Sequence, residues 1–246
     1  GGTAMRNLVT ITRREVGATF ASPIFWVVAA GFLAFYGLVF AAYIGQGQTV
    51  QASMRPLLQL LGTVLLFVTP LLSMRLLSEE QRSGTLELLM TSPVHDWQVV
   101  AGKWLSSFVA LTVMTGLTLV HAAIMWNLST KGMDIGPLVT SYVGILLLGA
   151  ALLAIGTLTS SLTENQVIAA FLGIMVVMVL WFMAFLAEVP GTDTAVGKAM
   201  AYAGLSDHYL NFGYGLLDSR DLVYFVTLTF GALYVATRAL ETRRWR

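Results

Sequence analysis

Long apolar runs alternate with short polar breaks along this chain, and the breaks come at intervals of one membrane thickness. About 20 apolar residues in a helix cross roughly 30 Å of hydrocarbon. On that measure the pattern predicts six spans, near residues 22–44, 56–77, 104–126, 138–162, 167–187 and 222–240. Pro23 opens the first and Gly45-Gln46-Gly47-Gln48 ends it. Arg75 sits near the end of the second, where a long cationic side chain can reach back to the headgroups. Trp104 and Trp126 bracket the third at belt positions, and Thr163-Glu164-Asn165 makes a tight turn between the fourth and fifth.

Three stretches fit no span. Residues 5–20 put Met5, Leu8, Val9, Thr12, Val16 and Phe20 on one helical face and Arg6, Arg13 and Arg14 on the other. Such a helix lies in the interface with its cations near anionic headgroups. Residues 188–221 are too polar to cross and too apolar for a free loop. They predict two short helices, about 193–203 and 207–217, the second started by a hydrophobic staple of Leu205 and Leu210 around Ser206. These helices dip into the outer leaflet or cover the bundle mouth, carrying the aromatic residues Tyr202, Tyr209, Phe212 and Tyr214. The third stretch, 75–103, reads RLLSEEQRSGTLELLMTSPVHDWQVVAGK. Ser83-Gly84-Thr85 can cap a short helix that holds Leu86, Glu87, Leu88, Leu89 and Met90, and Ser92-Pro93 can start the next.

Composition agrees with a membrane body: of 246 residues, 57% are hydrophobic and 11% charged, against about a quarter charged in an ordinary soluble domain. Basic residues set the orientation. With the N-terminus inside, inner segments hold Arg6, Arg13, Arg14, Arg75, Arg82, Lys103, Arg238, Arg243, Arg244 and Arg246; outer ones hold Arg55, Lys131, Lys198 and Arg220. Ten against four places both termini and the 75–103 segment in the cytoplasm. Gly1-Gly2-Thr3-Ala4 reads as a non-native addition ahead of Met5, and residues 5–246 as one domain with no cleavable leader. Small residues crowd the fourth span (Gly144, Gly149, Ala150, Ala151, Ala154, Gly156), which lets helix backbones approach closely.

Chemistry is sparse. No GxxxxGK(S/T), HExxH or GxSxG pattern occurs, and Gly102-Lys103 is followed by Trp104. No phosphate cradle of that kind is encoded, and no catalytic or metal residue stands out. The chain has no cysteine, so disulfides and thiolate-ligated metals are excluded. The single ionisable group well inside a span, His121, reads as a hydrogen-bonded core residue rather than a relay. A carrier or a membrane enzyme would need more than this, so energy is expected to enter from another protein, with no cofactor in this chain.

The run EEQRSGTLELLMTSPVHDWQVVAGKW resembles the signature loop of ABC-2 type ABC-transporter permeases. The resemblance continues through SSLTENQ at 160–166, DSRDLVYF at 218–225 and the terminal RALETRRWR. As a set it is similar to the permease branch associated with bacterial gliding motility, and more distantly to the nitrous-oxide-reductase maturation permease. It implies an all-α, six-span subunit of a bacterial cytoplasmic membrane transporter, with an interfacial N-terminal helix and an outer re-entrant pair. It implies two cytoplasmic ATPase subunits carrying ATP and magnesium, and a second permease copy or paralogue, which can bear a large outer domain. The passage would form between two permease chains from their first, second and fifth spans, with membrane lipid around it and no nucleic acid. Glu79, Glu80, Gly84, Thr85, Leu86 and Glu87 would face the ATPase. The expected function is ATP-driven transport, most simply export; the alternative is a mechanical complex that signals to an outer partner and moves no solute.

Overall fold

A computed structural model describes residues 2–46, 53–84, 95–129, 132–187 and 194–243. Every element among them is helical: α1 (Gly2–Ala21), α2 (Pro23–Gly45), α3 (Arg55–Ser73), α4 (Ser78–Ser83), α5 (Asp96–Leu117), α6 (Leu119–Leu128), α7 (Ile135–Leu162), α8 (Gln166–Ala187), α9 (Ala195–Ala203), α10 (Leu205–Gly213) and α11 (Ser219–Arg243). Among the described residues six helical stretches are long and apolar enough to cross a membrane: Pro23–Gly45, Arg55–Ser83, Asp96–Leu128, Ile135–Leu162, Gln166–Leu186 and Ser219–Thr242. The chain is a multi-pass, all-α membrane protein.

Local chemistry sets the ends. Proline opens α2 and α3 at positions where its missing N–H costs nothing. Asp134 accepts the Gly136 amide at 3.2 Å and starts α7; Asn165 takes the Val167 amide at 2.9 Å and starts α8. Thr194 does the same for α9 through Gly197 at 3.2 Å. The third crossing is broken at Thr118, whose hydroxyl bonds the Thr115 carbonyl at 2.6 Å. Hydroxyls that compete for a carbonyl of the preceding turn are a known cause of such bends.

The fourth crossing, α7, is the hub, packed on α3, α5, α8, α10 and α11. Its small residues are what make this possible. A Cβ at Gly149 would lie 2.2 Å from a Leu111 methyl, and one at Gly156 would lie 1.9 Å from the Ser73 hydroxyl. Leu148, Ala151, Leu152, Leu153 and Ala154 are buried around them. Close backbone approach within one chain therefore accounts for this run of small residues.

Several expected boundaries moved. The third crossing begins at Asp96, not Trp104, because residues 96–103 stay helical and bury Val99 and Val100. Trp104 is thus no belt residue: its indole N–H donates to the Ala150 carbonyl at 3.0 Å and its ring stacks on Phe108. The start expected at Ser92-Pro93 lies outside the described residues; the described helix begins after His95, whose amide is held by the Gln98 side chain at 3.1 Å. Gly84 closes α4 in the left-handed conformation, φ 68°; the helix expected to start at Ser83-Gly84-Thr85 lies outside the described residues. The expected staple is replaced by a start at Gly204, with Ser206 inside α10 and bonded to Asp207. In α1 Leu8, Thr12, Val16 and Phe20 of the expected stripe lie on the half-buried face. Met5 and Val9 are each 62% exposed, while Ile11 reaches across to Gly102 of α5.

Candidate functional site

The polar stretch that follows the second crossing is anchored to the bundle at both of its described ends. At its start, α3 has Pro70 in its last turn and then unwinds at residues 74–77 before α4. An unwound turn leaves backbone groups without helical partners. Ser160, near the end of α7, supplies them: its hydroxyl accepts the amides of Leu77 at 3.1 Å and Ser78 at 3.0 Å and donates to the Met74 carbonyl at 3.0 Å. Gln81 adds a bond to the Ser161 carbonyl at 2.9 Å. Arg75 donates from Nε to Gln166 at 3.0 Å, tying the same turn to the start of α8.

At its other end, Lys103 of α5 is 4% exposed. Its ammonium lies 2.9 Å from Glu80 Oε1 and 3.2 Å from Glu15 Oε2. One cation thus joins three helices: α5, α4 and the N-terminal α1. The second oxygen of Glu80 is buried and has no hydrogen-bond partner. Charges held this far from water persist only when paired, and removing one partner of such a set costs about 3–5 kcal/mol.

Of the residues expected to meet an ATPase, Glu79 is exposed at the surface of α4, Glu80 is turned inward to Lys103, and Gly84 is exposed at the helix end. Thr85, Leu86 and Glu87, with the short helix expected around them, lie outside the described residues. Arg6, Arg13 and Arg14 all sit on the exposed face of α1.

A family profile described as an ABC-2 family transporter protein matches residues 9–201. The chain belongs to the ABC-2 transporter family. A 101-residue stretch is 32% identical to the probable multidrug ABC transporter permease YbhR of Escherichia coli (strain K12), and equally to that of Escherichia coli O157:H7. The match takes in 41% of this chain and 26% of the relative, so it spans about a quarter of the curated relatives' length.

In this ABC-2 protein the two short helices before the last crossing are fastened down. Tyr209 of α10 is fully enclosed, with its hydroxyl on the Leu58 carbonyl of α3 at 2.5 Å and its ring over Gly62. The Phe212 ring is buried, and its carbonyl accepts from Thr140 of α7 at 2.8 Å. His208 bonds Asp221 of α11 at 2.6 Å and the Tyr202 carbonyl at 2.9 Å, and Asn211 donates to the other Asp221 oxygen at 3.0 Å. The four aromatics expected to act together therefore divide. Tyr209 and Phe212 are core anchors, whereas Tyr202 and Tyr214 are 58% and 56% exposed, Tyr214 lying under the Arg55 guanidinium.

His121 is half-buried between the rings of Tyr36 and Phe40, with Nδ1 3.3 Å from the Thr118 carbonyl. That is the surrounding of a packed core residue. Among the described residues no cluster of three or more histidine, aspartate or glutamate side chains could hold a metal.

Sequence reasoning reached the 75–103 segment but missed Ser160, Gln166 and Glu15. The first two lie in SSLTENQ, the motif noted above, and that is the signal that could have found them. Nothing local marks Glu15, which lies 88 residues from its partner Lys103.

Proposed function

We propose that the chain is the membrane-spanning permease subunit of an ATP-driven ABC-2 exporter, worked by separate cytoplasmic ATPase subunits through the segment between its second and third crossings. The observation that carries this reading is the pair of anchors on that segment, Ser160 at one end and Lys103 at the other. The bonds at its described ends are where a push on that segment would enter the bundle. From there it would pass to α3, α5, α7 and α1, and so to the crossings. Exposed Glu79 and Gly84 stand where the segment leaves the bundle, a position suited to contact with a soluble partner.

The finer parts of the reading follow from the loop motif and the tail. The chain is placed in the gliding-motility type of ABC-2 permease, in the bacterial inner membrane with both termini cytoplasmic. It pairs with a second permease copy or a paralogue, which can bear a large outer domain, and with two ATPases that bring ATP and magnesium. The multidrug description of the relatives fits export but names no substrate here. Residues 5–246 act as one permease domain.

Reconstitution with the cognate ATPase tests this. The chain alone should hydrolyse no ATP, the complex should, and Gly84→Trp should separate hydrolysis from transport while the bundle stays folded. Hydrolysis by the isolated chain, or full coupling in Gly84→Trp, would overturn it. A second reading is a mechanical complex that moves no solute. It is favoured by the sparse charge of the crossings: among the described residues the charged side chains that are buried are Lys103, about two turns into α5, and Asp221, in the first turn of α11. Hydrolysis that needs an outer protein partner and produces no flux would select it.

A further inference from the structure

Where α1 crosses the start of α2 and the end of α3, the fold leaves a half-open cavity of about 380 Å³ with two unlike walls. That volume lies within the range of small-molecule sites, about 300–1,000 Å³. Its apolar wall comes from crossings, with Ile24 and Val28 of α2 and Leu71 of α3. Its charged wall holds three cations, Arg14, Arg75 and Lys103, and three carboxylates, Glu15, Glu79 and Glu80. Ile24 and Leu71 are 36% and 38% exposed on the flank that lipid would touch.

The charged wall has unfilled capacity of both signs. Glu80 gives one oxygen to Lys103, and the other is buried without a donor. A buried acceptor left unmatched costs about 1–3 kcal/mol, more when charged. Rotation about the soft terminal torsion of a glutamate exchanges which oxygen meets which partner. On the opposite side, Arg75 bonds Gln166 through Nε, leaving its two terminal nitrogens as donors. Arg14 approaches only Glu15, at 3.8 Å, with its side chain 72% exposed.

We propose that this cavity binds a phosphatidylethanolamine-type lipid, its primary ammonium against Glu80 and Glu79, its phosphate toward Arg14 and Arg75, and its acyl chains leaving past Ile24 and Leu71. The occupant must donate hydrogen bonds from a cation, carry an anion a few ångströms away, and present hydrocarbon to the other wall. A choline headgroup has no N–H to donate, and an anionic glycerol headgroup brings no cation for the carboxylates. A docking loop of a soluble protein would have to enter at the depth of two crossings. The site is built wholly from this chain, so its existence does not depend on any ATPase.

The test is native mass spectrometry of the full chain released from nanodiscs containing equal amounts of phosphatidylethanolamine, phosphatidylcholine and phosphatidylglycerol. The wild type should retain the ethanolamine lipid with about tenfold preference, equivalent to roughly 1.4 kcal/mol. Glu80→Gln should abolish that preference. Because Glu80 also holds Lys103, the exposed Glu79→Gln serves as a second variant, expected to lower the preference several-fold in a normally folded protein. Arg14→Gln should weaken both phosphatidylethanolamine and phosphatidylglycerol. Equal retention of the three lipids by the wild type would overturn the proposal, as would an unchanged preference in both glutamate variants. So would a photo-reactive group at position 24 that captures the ATPase in place of lipid. Binding of soluble glycerophosphoethanolamine as tightly as the lipid would instead make the site one for a free polar solute.

Discussion

The ammonium of Lys103 and the carboxylate of Glu80 meet at 2.9 Å across the gap between the third crossing and the short helix that follows the second. With Glu15 on the far side, Lys103 is the point where three helices share one charge. Lys103→Met should leave two carboxylates facing each other without a counter-ion, at a cost of about 3–5 kcal/mol. The apparent unfolding temperature in detergent should fall clearly, and adding Glu15→Leu and Glu80→Leu should restore much of it, since a packed apolar set can replace a buried ionic one.

The hub makes a steric prediction with a built-in control. Gly156→Ala forces a methyl to within 1.9 Å of the Ser73 hydroxyl, and overpacking of this kind costs about 1–3 kcal/mol. Gly31→Ala, at a position with open space around it, should leave stability unchanged. Ser73→Ala should relieve part of the Gly156→Ala defect, because the hydroxyl is the nearest atom. Size-exclusion profiles after graded heating would rank the four proteins.

The outer hairpin should loosen when Asp221 is removed. Asp221→Ala deprives both His208 and Asn211 of their acceptor, with an expected loss of about 1–3 kcal/mol. Limited proteolysis between residues 203 and 219 should speed up. Asp207→Ala, an exposed position on α10 next to His208, should cut at the wild-type rate.

Sidedness can be read directly, since the chain has no cysteine to remove. Ser83→Cys should react with an impermeant maleimide in inside-out vesicles alone, and Lys198→Cys in right-side-out vesicles alone. Labelling of both from one side would contradict the proposed orientation.

The crossings were legible because lipid imposes a length and a composition that no other environment demands together. The tight packing of α7 was legible for a similar reason: runs such as Gly149-Ala150-Ala151 carry little side-chain volume, and small volume means close approach. What escaped was set by tertiary contact. The packing of α1 on α5 depends on Ile11 finding Gly102, a contact that periodicity within α1 does not show. Helix α4 is only six residues long and polar, too short for a period to show. Ser160 looks like one more serine at a helix end until the unwound turn at 74–77 is set beside it. Within the candidate site the sequence supplied Glu79, Glu80 and Gly84, but neither the inward turn of Glu80 nor the role of Gly84 as the end of a helix.

The fourth crossing has a mechanical consequence. With methyl-scale tolerances against Ser73, Leu111 and Phe212, it cannot slide past its neighbours without collision, because packed interiors have discrete arrangements and little give. If the chain is worked as proposed, its outer helices would swing about this crossing as about an axle, a shaft that keeps its own bearings.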